Sequence, residues 1–341
     1  MSAPSILAPV DFSDASRTAL QYAAVIAEHF GAELVVMTVT DPLLAEAAAM
    51  GTNPDRVKQD TLDALRRFLD ANVERVPAGV SVVFEAPIGK PDAEILRAAR
   101  AHRSDLIVIS SHGLTGFRKM FFGSTTERVL RETAVPVLIV PGNQREPHGL
   151  AEAAAAVRRI LVPVLLSDGD AAPLAIVRGL ADVLNASTLL LHVVEPVRSA
   201  LPHSERYLPG VERERRTRAE TELARVAATL ESGRVEALIA YGEPAEEIVK
   251  VAGDRDAGLI VITLMGSPLE GPRIGSVTYR VLSAAHCMVL ALPRDFSRRG
   301  KKAARTQQST AEKPALSLSK STKSAVGTAV ALKASDTRCH T

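Results

Sequence analysis

The sequence predicts an α/β fold: two tandem, doubly wound domains, each on a five-stranded parallel sheet, with a basic disordered tail. Three observations predict it. Segments of the first half return in the second at a nearly constant offset. Within each repeat, short apolar runs alternate with stretches of helical spacing. After Pro293 the composition turns to Lys, Ser, Thr and Ala, with Phe296 as the one aromatic residue.

The repeat organises everything else. ILAPVDFSDAS from Ile6 returns at Ile160 as ILVPVLLSDGD, an offset of 154, and Thr38 to Pro42 meets His192 to Pro196 at the same offset. Ile88 to Leu96 (IGKPDAEIL) meets Tyr241 to Val249 (YGEPAEEIV) one residue tighter. Phe122 to Leu130 matches Ile274 to Leu282 at offset 152, so two single-residue deletions separate the repeats.

In the first repeat, Ile6–Val10 reads as a buried strand. Ser13 is placed to cap a helix whose apolar face is Ala19, Leu20, Ala23, Ala24, Ile26, Ala27 and Phe30. Glu33–Val39 follows as a strand, and Val57, Leu62, Leu65, Leu69 and Val73 stripe a long helix. Val80–Phe84 is a third strand, and Pro91 suits the first turn of the next helix. Leu106–Ile109 and Val137–Val140 complete five strands. The second repeat keeps the order, with Leu174, Val177, Leu180, Ala181 and Leu184 on its first helix and Ala219, Leu223, Val226, Ala227 and Leu230 on its long one. Such alternation yields a parallel sheet covered on both faces. The expected division is residues 1–142, a linker over 143–158, a second domain over 159–293 and the tail over 294–341.

Length and composition agree. At roughly 150 residues per domain, 341 residues hold two domains with a remainder, and 46% hydrophobic content supplies two cores. No run approaches the roughly 18 consecutive apolar residues of a membrane span. The N-terminus lacks a basic n-region, and Cys287 and Cys339 make neither a disulfide framework nor a zinc motif. The expectation is a soluble, cytoplasmic protein. The net charge of +2 conceals a division: residues 294–341 carry 11 Lys and Arg against 3 Asp and Glu, net +8, which leaves −6 for the rest. A mildly acidic body argues against general nucleic-acid affinity, and the tail reads first as a solubilising appendage.

In a doubly wound sheet, ligands bind at the carboxyl ends of strands where the strand order reverses. Two stretches suit that crevice. Pro9, Val10 and Asp11 leave the first strand. Ile109 and Ser110 lead into the loop 110–130, in which Gly113 permits close backbone approach, and Gly123, Ser124 and Thr125 open a helix. A helix N-terminus favours an anion, and Ser124 and Thr125 add hydroxyl donors. Asp11 carries the opposite sign and suits ribose hydroxyls or a base amino group. Together these residues describe a nucleotide site.

On these residues the chain resembles the universal stress protein family in tandem form, over Ser5–Pro141 and Arg159–Pro293. Its ATP-binding members carry Gly, two residues, Gly, nine residues, then Gly and Ser or Thr. Here that pattern falls on Ser110, Gly113, Gly123 and Ser124, with Ser110 departing from the first glycine. The family's aspartate falls on Asp11, and its backbone adenine contact falls near Val39. The resemblance implies a Rossmann-like fold with strand order 3-2-1-4-5 and ATP as the cofactor, with Mg allowed beside the phosphates. It also implies pairing of the domains through their last strands, Val137–Val140 and Val289–Leu292, with a further homodimer conceivable. The second repeat has Leu165 for Asp11, Thr263 for Ser110 and Met265 for His112, and eight residues between Gly266 and Gly275. Weak or absent ATP binding is expected there.

Simpler roles stand beside these. Asp11 could be only a helix cap, and the glycines only turn residues. His112 reads as loop support before proton carrier, Arg118 and Lys119 as a solvated face or a phosphate screen, and Cys287 as a small buried apolar residue. No Walker A loop is present, since Gly89-Lys90 lacks its flanking residues, and no Gly-x-Gly-x-x-Gly follows the first strand. No acid, base and nucleophile set converges. The expected function is ATP binding that senses or transduces adenine-nucleotide status under stress, without dedicated catalysis. The alternative is a nucleotide-independent interaction scaffold.

Overall fold

The computed structural model describes residues 3–49, 54–73, 79–111, 123–166, 171–196, 209–230, 234–264 and 275–293. The first repeat runs β1 (Ser5–Pro9), α1 (Asp14–Phe30), β2 (Glu33–Met37), α2 (Pro42–Ala49), α3 (Pro54–Asn72), β3 (Val82–Glu85), α4 (Pro91–Ala101), β4 (Leu106–Ser110), α5 (Ser124–Glu132) and β5 (Val137–Val140). After α6 (Leu150–Ala155), the second runs β6 (Arg159–Pro163), α7 (Ala171–Leu184), β7 (Ser187–Val194), α8 (Pro209–Ala228), β8 (Val235–Tyr241), α9 (Pro244–Asp254), β9 (Leu259–Leu264), α10 (Ser276–Ala284) and β10 (Met288–Pro293). The helix α2 has no counterpart in the strand-and-helix order expected from periodicity, because its PLLAEAAA sequence carries little amphipathic pattern.

The strands form one ten-stranded sheet in the order β3-β2-β1-β4-β5-β10-β9-β6-β7-β8. Each repeat therefore has the expected order 3-2-1-4-5, and its internal pairings are parallel. The repeats meet where β5 and β10 pair antiparallel, with Leu138 opposite Leu290. Two apolar edges that would each be a liability in an isolated domain cover one another in this way.

Strand alternation divides the core into two layers. Leu7, Val35, Ile107 and Ile139 point to one face and pack with Ile95, Leu96 and Val129 of α4 and α5. Ile6, Ala8, Val36 and Val108 point to the other and pack with Ala19, Leu20, Ala23 and Ala27 of α1. Phe30, read from its spacing as part of that apolar face, is instead 50% exposed with its ring edge on His29, because the helix ends at the next residue. Gly31 closes α1 with φ 57°, a left-handed conformation that glycine adopts without steric cost. The duplication extends to such details: Asn185 takes φ 52° at the matching place, and Arg103 and Asp256 pair off at 51° and 50°.

The stretch between the repeats is tied down. Arg17 Nε lies 3.1 Å from Glu146 Oε1, Gln21 Nε2 donates to Glu146 Oε2 at 3.2 Å, and the Tyr22 hydroxyl donates to Arg145 O at 3.3 Å. Farther along, Ala153 of α6 and Val157 are buried in the α1-side layer. The basic tail lies outside the described residues.

Cys287, just before β10, packs against apolar neighbours, and burial pushes its thiol up to about 11. At pH 8 it is therefore a neutral thiol, not the thiolate that alkylating reagents attack. In a Cys339→Ser background, iodoacetamide is expected to leave the native protein unlabelled and to label it in denaturant. Labelling of the native protein as fast as free cysteine would contradict this.

Candidate functional site

The reversal of strand order in the first repeat lies between β1 and β4, which pair through Ile6–Leu106 and Leu7–Ile107. Connections leave these neighbours toward opposite faces, so a crevice opens beyond their carboxyl ends. Pro9 and Val10 close the β1 side. Both are buried, and the Val10 N–H donates to Met37 O at 2.8 Å.

Asp11 comes next, half-buried, at the start of a tightly bonded turn. Its Oδ1 accepts from the Ser13 hydroxyl at 2.5 Å and the Ser13 N–H at 3.2 Å, an Asx turn. The Ser13 oxygen in turn accepts from the Ser16 N–H at 3.2 Å and caps α1. Asp11 is thus not the helix cap itself; it orients the cap. Between them Phe12 holds φ 63°, rare for a bulky residue and costing on the order of 1–3 kcal/mol. Its ring lies edge-on to Phe68 of α3 at 5.3 Å, and the side chain is 40% exposed.

The backbone of β2 reaches the same opening. Thr38 and Thr40 donate to Glu85 O and Pro87 O on the β3 side, while Met37 accepts from Val10 on the β1 side. Because backbone groups alternate along an extended chain, those of Val39 point toward the β1 side, beyond the end of β1. The side chain of Val39 packs against the α4- and α5-side layer.

On the β4 side, Ile109 is buried and Ser110 is 7% exposed. The Ser110 carbonyl accepts from Thr126 Oγ1 at 3.1 Å, and the Ser111 carbonyl accepts from the Gly123 N–H at 3.1 Å. A Cβ on Gly123 would stand 3.3 Å from that Ser111 oxygen, so the return of the loop is tight here. Gly123 is the N-cap of α5 and supplies no side-chain cap. The first turn of α5, with Ser124 exposed and Thr125 half-buried, thus begins with backbone donors and a positive dipole end. Gly113, His112, Arg118 and Lys119 lie outside the described residues. The structure brings Pro9, Val10, Asp11, Val39, Ile109, Ser110, Gly123, Ser124 and Thr125 to the carboxyl edge of adjacent strands.

Comparison with known proteins decides the family. The model of the universal stress protein family matches residues 4–141 and 156–293. The chain belongs to the universal stress protein family. Universal stress protein MJ0531 of Methanocaldococcus jannaschii is 32% identical over 145 residues, covering 41% of this chain and 84% of that protein. A universal stress protein of Thermus aquaticus is 31% identical over 144 residues, covering 40% and 97%. Among solved structures, a functionally unknown protein of Pseudomonas aeruginosa PAO1, PA1789, superposes with TM-score 0.61 at 17% identity, covering 89% of this chain and 98% of its own. At that identity the likeness shows the fold.

The two repeats of this universal stress protein differ at the crevice. Leu165 stands in the place of Asp11 and is 53% exposed. His192 stands in the place of Thr38, with Nδ1 2.9 Å from Val164 O, so an imidazole occupies the end of β6. Nothing in the residue pattern signalled this contact, because it depends on the register of β6 against β7. Gly275 still caps α10 without a side chain, as Gly123 caps α5. The second repeat thus keeps an uncapped helix start and has a leucine at the position of Asp11.

Proposed function

We propose that this universal stress protein binds ATP in the crevice of its first repeat, and that the occupancy of this crevice conveys adenine-nucleotide status in a stress response. One observation carries the reading: a carboxylate, a strand backbone and an uncapped helix start face one strand-order reversal, in the order sugar, base and phosphate require. Asp11 would accept from the ribose hydroxyls and Val39 would meet the adenine edge through its backbone; Ser124 and Thr125 would donate to phosphate, and Gly123, whose N–H is held by Ser111 O, would let it approach closely. The donor set fits the ligand in kind, since the carboxylate follows β1 and the phosphate donors follow β4, on separate strands. Mg²⁺, where it accompanies ATP, would be carried chiefly by the phosphates, as magnesium usually is. The role is one of binding, with no dedicated catalysis.

A second reading, a scaffold independent of nucleotide, draws on Ser110. Its buried side chain adds bulk where the family's ATP-binding pattern has glycine. The two separate cleanly. Mass analysis of small molecules released from the purified chain is expected to find an adenine nucleotide, and titration calorimetry to find one ATP per chain. An empty parent protein that gives no heat with ATP supports the scaffold instead.

A further inference from the structure

β8 ends the ten-stranded sheet, and among the described residues no strand pairs with its outer side. It is seven residues long, VEALIAY, with a single charge and no proline or lysine. The opposite end of the sheet is blunter: β3 has four residues and ends on Glu85, whose carboxylate lies 2.7 Å from His102 Nε2. Natural sheets protect long apolar edges, so a bare one marks a pairing surface.

We propose that the outer edge of β8 pairs antiparallel with β8 of a second copy of this chain, about a two-fold axis through Leu238. Hydrogen-bond parity sets the geometry. Arg234 accepts from Thr188 of β7, and Gly242 donates to Val194 beyond it, so the even-numbered residues of β8 face β7. The N–H and C=O groups of Val235, Ala237, Ile239 and Tyr241 therefore point outward. One register lets all of these pair: Val235 opposite Tyr241 and Ala237 opposite Ile239 of the other copy, with Leu238 opposite itself.

That register is self-complementary, and this favours a second copy over a foreign strand. Glu236, the one charge, falls opposite Ala240 rather than another Glu236, and it is already paired with Arg255 at 2.5 Å. Val235 against Tyr241 is a favoured β-branched and aromatic cross-strand pair, and Tyr241 is 46% exposed in the single chain. An edge strand alone buries less than the roughly 1,200 Å² of a stable interface. α8 packs on β7 and β8, and a contact between copies would draw its further area from this helix.

Sedimentation of the full chain is expected to show a concentration-dependent dimer. Ala237→Pro removes an outward N–H that β7 does not use, so the fold is retained while dimer affinity falls by at least about tenfold. Leu238→Cys in a Cys339→Ser background is expected to give a covalent dimer on mild oxidation. A non-hydrogen-bonded antiparallel pair stands about 4.5 Å apart at Cα, within disulfide range. Tyr241→Cys, opposite Val235 in this register, gives none. A wild-type chain that stays monomeric at the highest concentration reached overturns the proposal. So does a dimer that ignores Ala237→Pro, or one in which Tyr241→Cys cross-links as readily as Leu238→Cys.

Discussion

Asp11→Ala is expected to weaken ATP binding by the full chain by about 10- to 100-fold, read by titration calorimetry. Hydrogen bonds to a charged acceptor contribute about 1.5–3 kcal/mol, and each 1.4 kcal/mol is a factor of ten. The substitution also removes the acceptor of the Ser13 hydroxyl and N–H, so some loss of stability accompanies it. Ser13→Ala separates the two effects. It removes the cap on Ser16, at a cost of about 1 kcal/mol, and keeps the Asp11 carboxylate. Ser13→Ala should therefore lower the melting temperature while leaving most of the ATP affinity. If Asp11→Ala binds ATP as the parent does, Asp11 serves the turn alone.

The second large effect concerns the junction of the repeats. A Cβ on Gly258 would stand 1.8 Å from the carbonyl oxygen of Ala156, and no rotamer moves a Cβ. Gly258→Ala must displace either the chain after α6 or the start of β9, where the Gly258 N–H donates to Arg159 O at 3.1 Å. Overpacking of this severity costs about 3 kcal/mol, and calorimetric melting is expected to fall by roughly 6 °C. Gly253→Ala, within α9, is the control. Nothing stands within 4 Å of its Cβ, so the same chemical change should stabilise by a few tenths of a kcal/mol or more. A Gly258→Ala protein that melts with the parent would show that the junction yields without cost. In the first repeat the matching residue is Asp105, whose Oδ2 accepts from the Ser5 N–H at 3.0 Å. Glycine replaces it where the connecting chain passes.

Much of this is legible in the amino-acid sequence, for identifiable reasons. Buried strands such as Ile6–Val10 and Val137–Val140 are apolar runs bounded by polar residues, and the helices between them repeat at 3.6 residues. Those are local signals. The spacing of Gly113, Gly123 and Ser124 and the loss of Asp11's counterpart at Leu165 are one-dimensional too, as is the duplication that lets each repeat be read against the other.

Side-chain partners and edges were not legible, because they arise between segments distant in sequence. Phe30 has helical spacing yet lies past the layer that would cover it. His192 has no motif, and only the pairing of β6 with β7 sets its ring on Val164 O. The approach of Ala156 to Gly258 and the place of β8 at the end of the sheet likewise follow from where strands land. Two repeated α/β units and the leucine that stands for Asp11 in the second are written in local pattern, and the strand order 3-2-1-4-5 came through family resemblance. Only the folded chain reveals that Asp11 orients the cap of α1, that the Val39 backbone points toward the β1 side, and that β8 ends the sheet with no strand on its outer side among the described residues. Hydrogen-bond direction and register are properties of paired chains, and no single segment carries them.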